Sequence, residues 1–342
     1  MKFDVVVGNP PYQENSADRN RDDAVYPYFY DLAKKIGVQY CLISPARFLF
    51  GIGSTSTEWN DTMLQDVHLK VVYYNPLSSV AFPNTDIKGG IAVLYRNSNH
   101  VFGAINTFTA FEQLTTILQK VSRLSNLEHN LSELMYVQTK YNLSQLYDDN
   151  KKFKSRLGSQ GKERRLVSST FDTLPEIYFD EKTNDDQVKI YGRQNNKRIY
   201  KWVDKKYLEL DGNFSSYKVI VPAANGSGKL GETLSTPIIG NPLVGHTQTF
   251  ISIGCFKTEY EAHSLLKYLK CKFCRTMLSI KKTTQNNKSK ETWSKIPLQD
   301  FTSDSDIDWS KSISEIDQQL YAKYDLNQFE IDFIESEVKA MD

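Results

Sequence analysis

Short β-branched runs alternate with apolar stripes at helical spacing along the first hundred positions. Phe3-Asp4-Val5-Val6-Val7 predicts a buried strand. Tyr26, Phe29, Leu32, Ala33 and Ile36 share one helical face, and the stripe stops at Gly37. Gln39–Pro45, Leu69–Tyr74 and Gly90–Tyr95 predict three more strands, with a short Ser/Thr-capped helix over Ser56–Leu64. Alternating strands and helices predict a parallel sheet. The loop before Gly90 is too short for a crossover helix, so the last two strands are expected to pair antiparallel. The polar stretch Asn15–Asp23 predicts a mobile loop.

Beyond residue 110 the pattern changes. Phe111–Tyr147 reads as helical, with Leu114, Ile117, Leu118, Val121 and Leu124 on one stripe, a bridge over residues 111–150. Residues 151–298 carry short β-like runs (Tyr217–Val221, Phe250–Ile253), Gly/Asn/Ser turns and a helix over Glu259–Leu269. The tail, 299–342, predicts two amphipathic helices with stripes Ile313/Ile316/Leu320/Tyr324 and Leu326/Phe329/Phe333/Val338. Such stripes suit packing or partner contact rather than chemistry.

With 342 residues, 40% hydrophobic and 24% charged, the chain has the make-up of a soluble protein with room for two domains. No apolar run approaches the roughly 18 residues of a membrane helix. The start runs straight into a strand, leaving no room for a signal peptide, so a cytoplasmic protein without a membrane partner is expected. The net charge of +1 hides an asymmetry. Residues 151–165 hold seven Lys/Arg against one acid, 193–206 six against one, and 270–295 eight against one. From Phe301 onward eleven acids face three lysines. Basic runs interleaved with Tyr191, Tyr200, Trp202 and Tyr207 suit a polyanion such as a nucleic acid. Lys281, Lys282, Lys288 and Lys290 are the candidates for phosphate contacts, which set affinity rather than base choice.

Of the four cysteines, only Cys271 and Cys274 have metal-like spacing, and no second pair or nearby His completes a site. On a helix they share a face beside Leu278, so core packing is expected and no metal. The five histidines are scattered. No P-D-x-E-x-K pattern is visible, so cleavage is not expected.

The chemistry-bearing segment is Asn9-Pro10-Pro11-Tyr12, directly after the first strand. Two prolines end a strand sharply, since neither donates to a ladder. The elbow sits at a strand's carboxyl end, where open α/β sheets place ligands. An amide, direction-fixed carbonyls and an aromatic ring together suit gripping a planar amino group and stacking on its ring. Asp4, on the strand before it, receives no role.

The run from Phe3 through Tyr12 resembles the catalytic motif of S-adenosylmethionine-dependent amino-group methyltransferases, above all the DNA adenine-N6 enzymes of restriction–modification systems. Leu42–Ala46, Val80–Asn84 and Ile91–Tyr95 follow in the family's order, and Ser44–Arg96 is especially similar to its Eco57I-like branch. The resemblance covers about the first 110 residues well. It implies an α/β fold: the C-terminal half of a Rossmann-like methyltransferase sheet over residues 1–110, then an α+β target-recognition domain. It also implies that Asn9 and the Pro10 carbonyl accept from the adenine amino group, and that Pro11 stiffens the turn. Tyr12 and Phe82 would stack on a flipped base, and Asn9 would touch S-adenosyl-L-methionine at its edge. Protein-glutamine and some RNA methyltransferases share the motif; the basic C-terminal region favours double-stranded DNA.

Only eight residues precede Asn9, whereas the family's Gly-rich cofactor loop lies upstream of it. The resemblance therefore implies that the cofactor site is completed elsewhere, by an upstream methyltransferase half or a restriction subunit. The match Gly226-Ser227-Gly228-Lys229-Leu230-Gly231 to G-x-G-x-x-G follows a strand, but Pro222–Asn225 intervenes and Glu232–Pro237 is a poor helix. A hairpin or a loop touching DNA backbone is expected there. The alternative reading is a non-catalytic DNA-binding module derived from such an enzyme.

Overall fold

β1 (Phe3–Gly8) heads a four-stranded sheet with β4 (Gly37–Pro45), β5 (Leu69–Asn75) and β6 (Ile91–Asn97), in the spatial order β1-β4-β6-β5. β2 (Gln13–Glu14) and β3 (Asp23–Ala24) form a minimal hairpin apart from it. The computed structural model describes residues 3–14, 23–51, 53–159 and 161–341. Most of the loop expected over Asn15–Asp23 lies outside these. The chain divides into two units, Met1–Thr115 and Thr116–Asp342.

In the first unit β1 and β4 are parallel, while β6 runs antiparallel to both β4 and β5. The expected antiparallel pair is present, but the last strand is inserted between β4 and β5. Consequently β1, β4 and β5 all point the same way, and the loops following them share one edge of the sheet. Helix α1 (Tyr26–Ile36) has a Pro in its first turn and Lys34 and Lys35 in its last, favourable at the two ends of a helix dipole. It buries Tyr26, Tyr30 and Ala33 in a cluster with Tyr40 and Leu42 of β4, whereas Phe29 and Leu32 of the expected stripe are exposed, because the face packed on the sheet is centred on Tyr30. Helix α2 (Thr57–Gln65) is capped by Ser56, whose side chain accepts from the Trp59 amide at 3.2 Å.

The second unit contains α3 (Glu112–Leu124, starting at the boundary), β7 (Met135–Tyr136), β8 (Lys140–Tyr141), α4 (Leu143–Asp149) and α5 (Thr170–Thr173). Next come β9 (Gln187–Gln194), β10 (Lys197–Asp204), β11 (Leu208–Glu209), β12 (Tyr217–Pro222), β13 (Ile238–Gly240), β14 (Val244–His246) and β15 (Phe250–Phe256). Five helices follow: α6 (Glu259–Lys270), α7 (Lys272–Ser279), α8 (Lys290–Trp293), α9 (Ile313–Lys323) and α10 (Gln328–Glu337). The sheet β13-β12-β15-β7 and the smaller β10-β9-β14 carry this unit.

Several boundaries differ from expectation. The helical run over 111–147 is continuous only to Leu124, because the segment after it joins sheets through β7 and β8. Its stripe residues Ile117, Leu118 and Val121 sit in the same core as Cys271, Cys274, Leu278, Ile316, Leu320 and Val338. Residues 299–342 therefore share a core with the region before them. Around α10 three of the four expected stripe residues meet the core, Leu326 and Val338 buried and Phe333 packed against it, while Phe329 is 65% exposed and Ile334 is buried instead. Glu330, 1% exposed, is drawn inward by Lys120 at 2.8 Å and caps the helix with Asn327.

Candidate base-binding elbow and nucleic-acid interface

The turn after β1 is built by register. Gly8 pairs with Leu42, and Pro45 and Asn75 both align with Ile91, so the three loops leave from the same edge of the sheet. Pro10 is buried, while Asn9 and Pro11 are exposed and Tyr12 is half-buried. The Pro10 carbonyl accepts no hydrogen bond among the described residues. The elbow thus presents one amide side chain and one free, direction-fixed acceptor. The Tyr12 carbonyl accepts from the Val25 amide at 3.2 Å, tying the turn to the start of α1.

The Tyr12 hydroxyl is shut off from solvent, with the Asn9 side chain as its polar neighbour but no hydrogen bond of good geometry. Burial raises its pKa, against the opposing pull of Asn9. Beneath it lies a tyrosine-rich floor that sequence reasoning passed over. The Tyr30 hydroxyl is 3.0 Å from Ser44 Oγ and donates to the Leu42 carbonyl at 3.4 Å. Burial also pushes Tyr26 up to about 12, against a Thr55 hydrogen bond and the Arg47 charge. Both phenols stay neutral at working pH. The available signal was Tyr26 and Tyr30 at i, i+4 on a helix facing a strand that ends in Ser44-Pro45.

Phe82 is half-buried on the β5–β6 loop, after a 3₁₀ turn over Ser78–Val80. It shares the sheet edge with Asn9, but β5 stands three strands from β1, about 14 Å at the usual strand spacing. No ring contact joins Phe82 to Tyr12 among the described residues. Arg47 Nε donates to the Lys88 carbonyl at 2.6 Å, fastening that loop to the end of β4.

The lysines expected on DNA separate into two kinds. Lys281 pairs with Glu291 at 2.6 Å. Lys282 is 6% exposed, and its ammonium donates to the carbonyls of Asn225 at 2.9 Å and Thr284 at 3.0 Å. Both are withdrawn from the surface, because their stems are needed to hold the loop they stand on. Lys288 and Lys290 are exposed and form no ion pair among the described residues. The other basic runs are also partly spent: Arg156 meets Glu176, Arg164 Glu209, Lys201 Asp180, Lys205 Asp186 and Lys206 Asp149. These acids come from distant segments, which a local charge count omits. The expected aromatic interleaving is present on the β9–β10 hairpin, with Lys189 over the rings of Trp202 (4.9 Å) and Tyr200 (5.7 Å).

The glycine match at 226–231 is not a cofactor cradle. Its backbone amides close on Glu232, whose carboxylate accepts from Ser227 N at 2.8 and 2.9 Å and from Gly228 N at 3.0 Å. An internal carboxylate fills the nest that would otherwise hold an anion. No helix is long and apolar enough to cross a membrane among the described residues.

Residues 1–81 match the family described as Eco57I restriction-modification methylase. A Mycoplasma pneumoniae (strain ATCC 29342 / M129 / Subtype 1) protein, described as an uncharacterized adenine-specific methylase, is 30% identical over 104 residues, covering 29% of this chain and 25% of its own length. The chain thus matches a quarter of that relative. Among solved structures, the type IIG restriction endonuclease BpuSI is 11% identical at TM-score 0.32, over 98% of this chain and 54% of its own. The type IIL restriction-modification enzyme MmeI, in complex with DNA, is 9% identical at TM-score 0.40, over 97% and 56%.

Proposed function

We propose that this chain, whose first 81 residues match the Eco57I restriction-modification methylase family, is the catalytic and DNA-recognition portion of a DNA adenine-N6 methyltransferase. The observation that carries the reading is the elbow: an exposed Asn9 amide and an unoccupied Pro10 carbonyl beside a half-buried Tyr12. Adenine N6 is a poor nucleophile because its lone pair is delocalised into the ring. Two acceptors aimed at its two N–H bonds favour a tetrahedral nitrogen and free that lone pair. Such preorganised electrostatics work best in a site closed to water. The base reaches the elbow by flipping out of the duplex, at a few kcal/mol. Stacking on Tyr12 offsets about 1–3 kcal/mol of that, with Phe82 as the second stacking candidate.

S-adenosyl-L-methionine, the methyl donor of this family, is only partly provided for. Asn9 is the candidate for an edge contact, while the glycine match is closed by Glu232. A separate segment or partner chain completes the site in this proposal. Support comes from β1, an edge strand with Phe3, Val5 and Val7 at 50%, 49% and 75% exposure. The open backbone edge of β1 can take a further strand, and its exposed apolar face can be covered by a further element.

The test is calorimetry with S-adenosylmethionine, followed by labelled methyl transfer to duplex DNA. The chain alone should give little heat. Addition of the cofactor-binding half of an Eco57I-family methylase should yield N6-methyladenine. DNA binding without transfer under any reconstitution would favour the non-catalytic DNA-binding module.

A further inference from the structure

Two loops of the second unit, Ala223–Glu232 and Lys281–Lys290, are zipped into one rigid element. Asn225 N donates to the Gln285 carbonyl and Asn287 N to the Ala223 carbonyl, both at 2.9 Å. The buried Asn287 amide donates to the Pro222 carbonyl at 2.9 Å and to Asn225 Oδ1 at 2.6 Å. Lys282 crosses between the loops as described above, and Trp293 Nε1 fixes the Asn287 carbonyl at 2.8 Å. Gly228, at φ 91°, lies so close that a Cβ there would meet the Thr283 and Thr284 backbone at 2.2 Å.

This interior is costly in buried polar groups, and its effect is to hold a small set of side chains outward. Gln285 and Asn286 are exposed at the tip, flanked by exposed Lys229, Lys288 and Lys290. The Gln285 carboxamide has no hydrogen-bond partner among the described residues. Asn286 is half-used: its Oδ1 accepts from Lys288 N at 3.0 Å, leaving its NH₂ as donor.

We infer that this double loop reads base edges in the major groove of DNA, with Gln285 as the adenine-reading residue. A carboxamide matches the donor and acceptor that adenine presents as N6 and N7. Asn286, with its NH₂ unpaired and its oxygen already engaged by Lys288 N, suits an acceptor such as guanine O6 or thymine O4. Lys229, Lys288 and Lys290 neutralise neighbouring phosphates and fix the register. Duplex RNA is disfavoured, because its deep, narrow major groove does not admit such a tip. The inference rests on the DNA reading above and adds the residues that set the sequence.

The experiment is selection of bound duplexes from a randomised DNA library by the full chain, with sequencing of the enriched pool. The wild type should enrich a motif containing at least one fixed A·T pair. Gln285→Ala should make that pair degenerate, losing about 5- to 150-fold discrimination there, while its melting temperature and its affinity for unselected DNA stay unchanged. The Lys288→Ala/Lys290→Ala double variant should weaken all sequences alike and flatten the salt slope by about two. An unchanged motif in Gln285→Ala, or binding with no motif at all, would overturn the inference and leave the methyltransferase reading standing. Failure of the chain to bind DNA at any salt would remove both. Equal binding of duplex RNA would also overturn the major-groove assignment.

Discussion

Asp66, just past the end of α2, and Arg96 of β6 meet at 2.8 Å with 7% and 10% of their side chains exposed. Burial alone would raise the Asp66 pKa, but hydrogen bonds from Arg96, the His68 amide and Lys34 more than reverse that. The lowered value means its contribution is present above the ordinary carboxyl range and is lost as pH falls through the folded value. Asp66→Asn should therefore cost the first unit about 3 kcal/mol at pH 7, read as an earlier midpoint in urea. The deficit should shrink in acid. Wild-type stability at pH 7 would show the pair to be dispensable.

His246 gives a second pH signature, in the other unit. Burial pushes it down to about 4, partly opposed by the Thr247 carbonyl and reinforced by Lys218. Folded protein then binds fewer protons than unfolded chain, so stability falls as pH drops from about 6.5 and levels near 4. The loss is about 3 kcal/mol at 1.36 kcal/mol per unit. Nε2 lies 3.0 Å from Ser252 Oγ, a contact a carboxamide can keep. His246→Gln should abolish this slope in thermal melts between pH 4 and 7; an identical slope would assign it to other groups.

Much of the first unit was legible in its apolar pattern, because each element satisfies itself locally. The strand at Phe3–Val7, the helix over Tyr26–Ile36 and the Ser56 cap carry their own signals. Burial did not follow the pattern: Phe3, Val5 and Val7 are exposed on an edge strand, and on α1 Phe29 and Leu32 are exposed while Tyr30 is buried. What was hidden depended on distant partners. Nothing near Ile91 says that β6 inserts between β4 and β5. Nothing around Lys282 says that its charge will be satisfied by Asn225, 57 residues away in sequence. Phe329 looked as good a core residue as Ile334 until Lys120 claimed Glu330. The elbow itself was readable, since two prolines after a strand leave the chain few alternatives.

Lys282 and Lys288 should separate cleanly in experiment. Lys282→Met strands two buried carbonyls and should cost about 2 kcal/mol of stability, seen as a lower melting temperature. Lys288→Ala should melt like wild type but bind DNA more weakly, with a smaller salt dependence. Reversed outcomes would mean that the loop is held differently.

At Tyr12 the ring and the hydroxyl can be tested apart. The hydroxyl is buried with only the Asn9 side chain beside it and no well-formed hydrogen bond, so Tyr12→Phe should change stability by no more than about 1 kcal/mol and retain stacking. Tyr12→Ala should lower transfer by about 5- to 150-fold in the reconstituted enzyme, the equivalent of 1–3 kcal/mol. Equal losses in both variants would shift the role from ring to hydroxyl.

The central claim is that the elbow grips an exocyclic amino group through Asn9. Its most direct test is the rate of methyl transfer to adenine by reconstituted Asn9→Ala, with DNA affinity measured in parallel. The account predicts a fall of about 10²–10³-fold in rate with affinity unchanged. Transfer at the wild-type rate would contradict it.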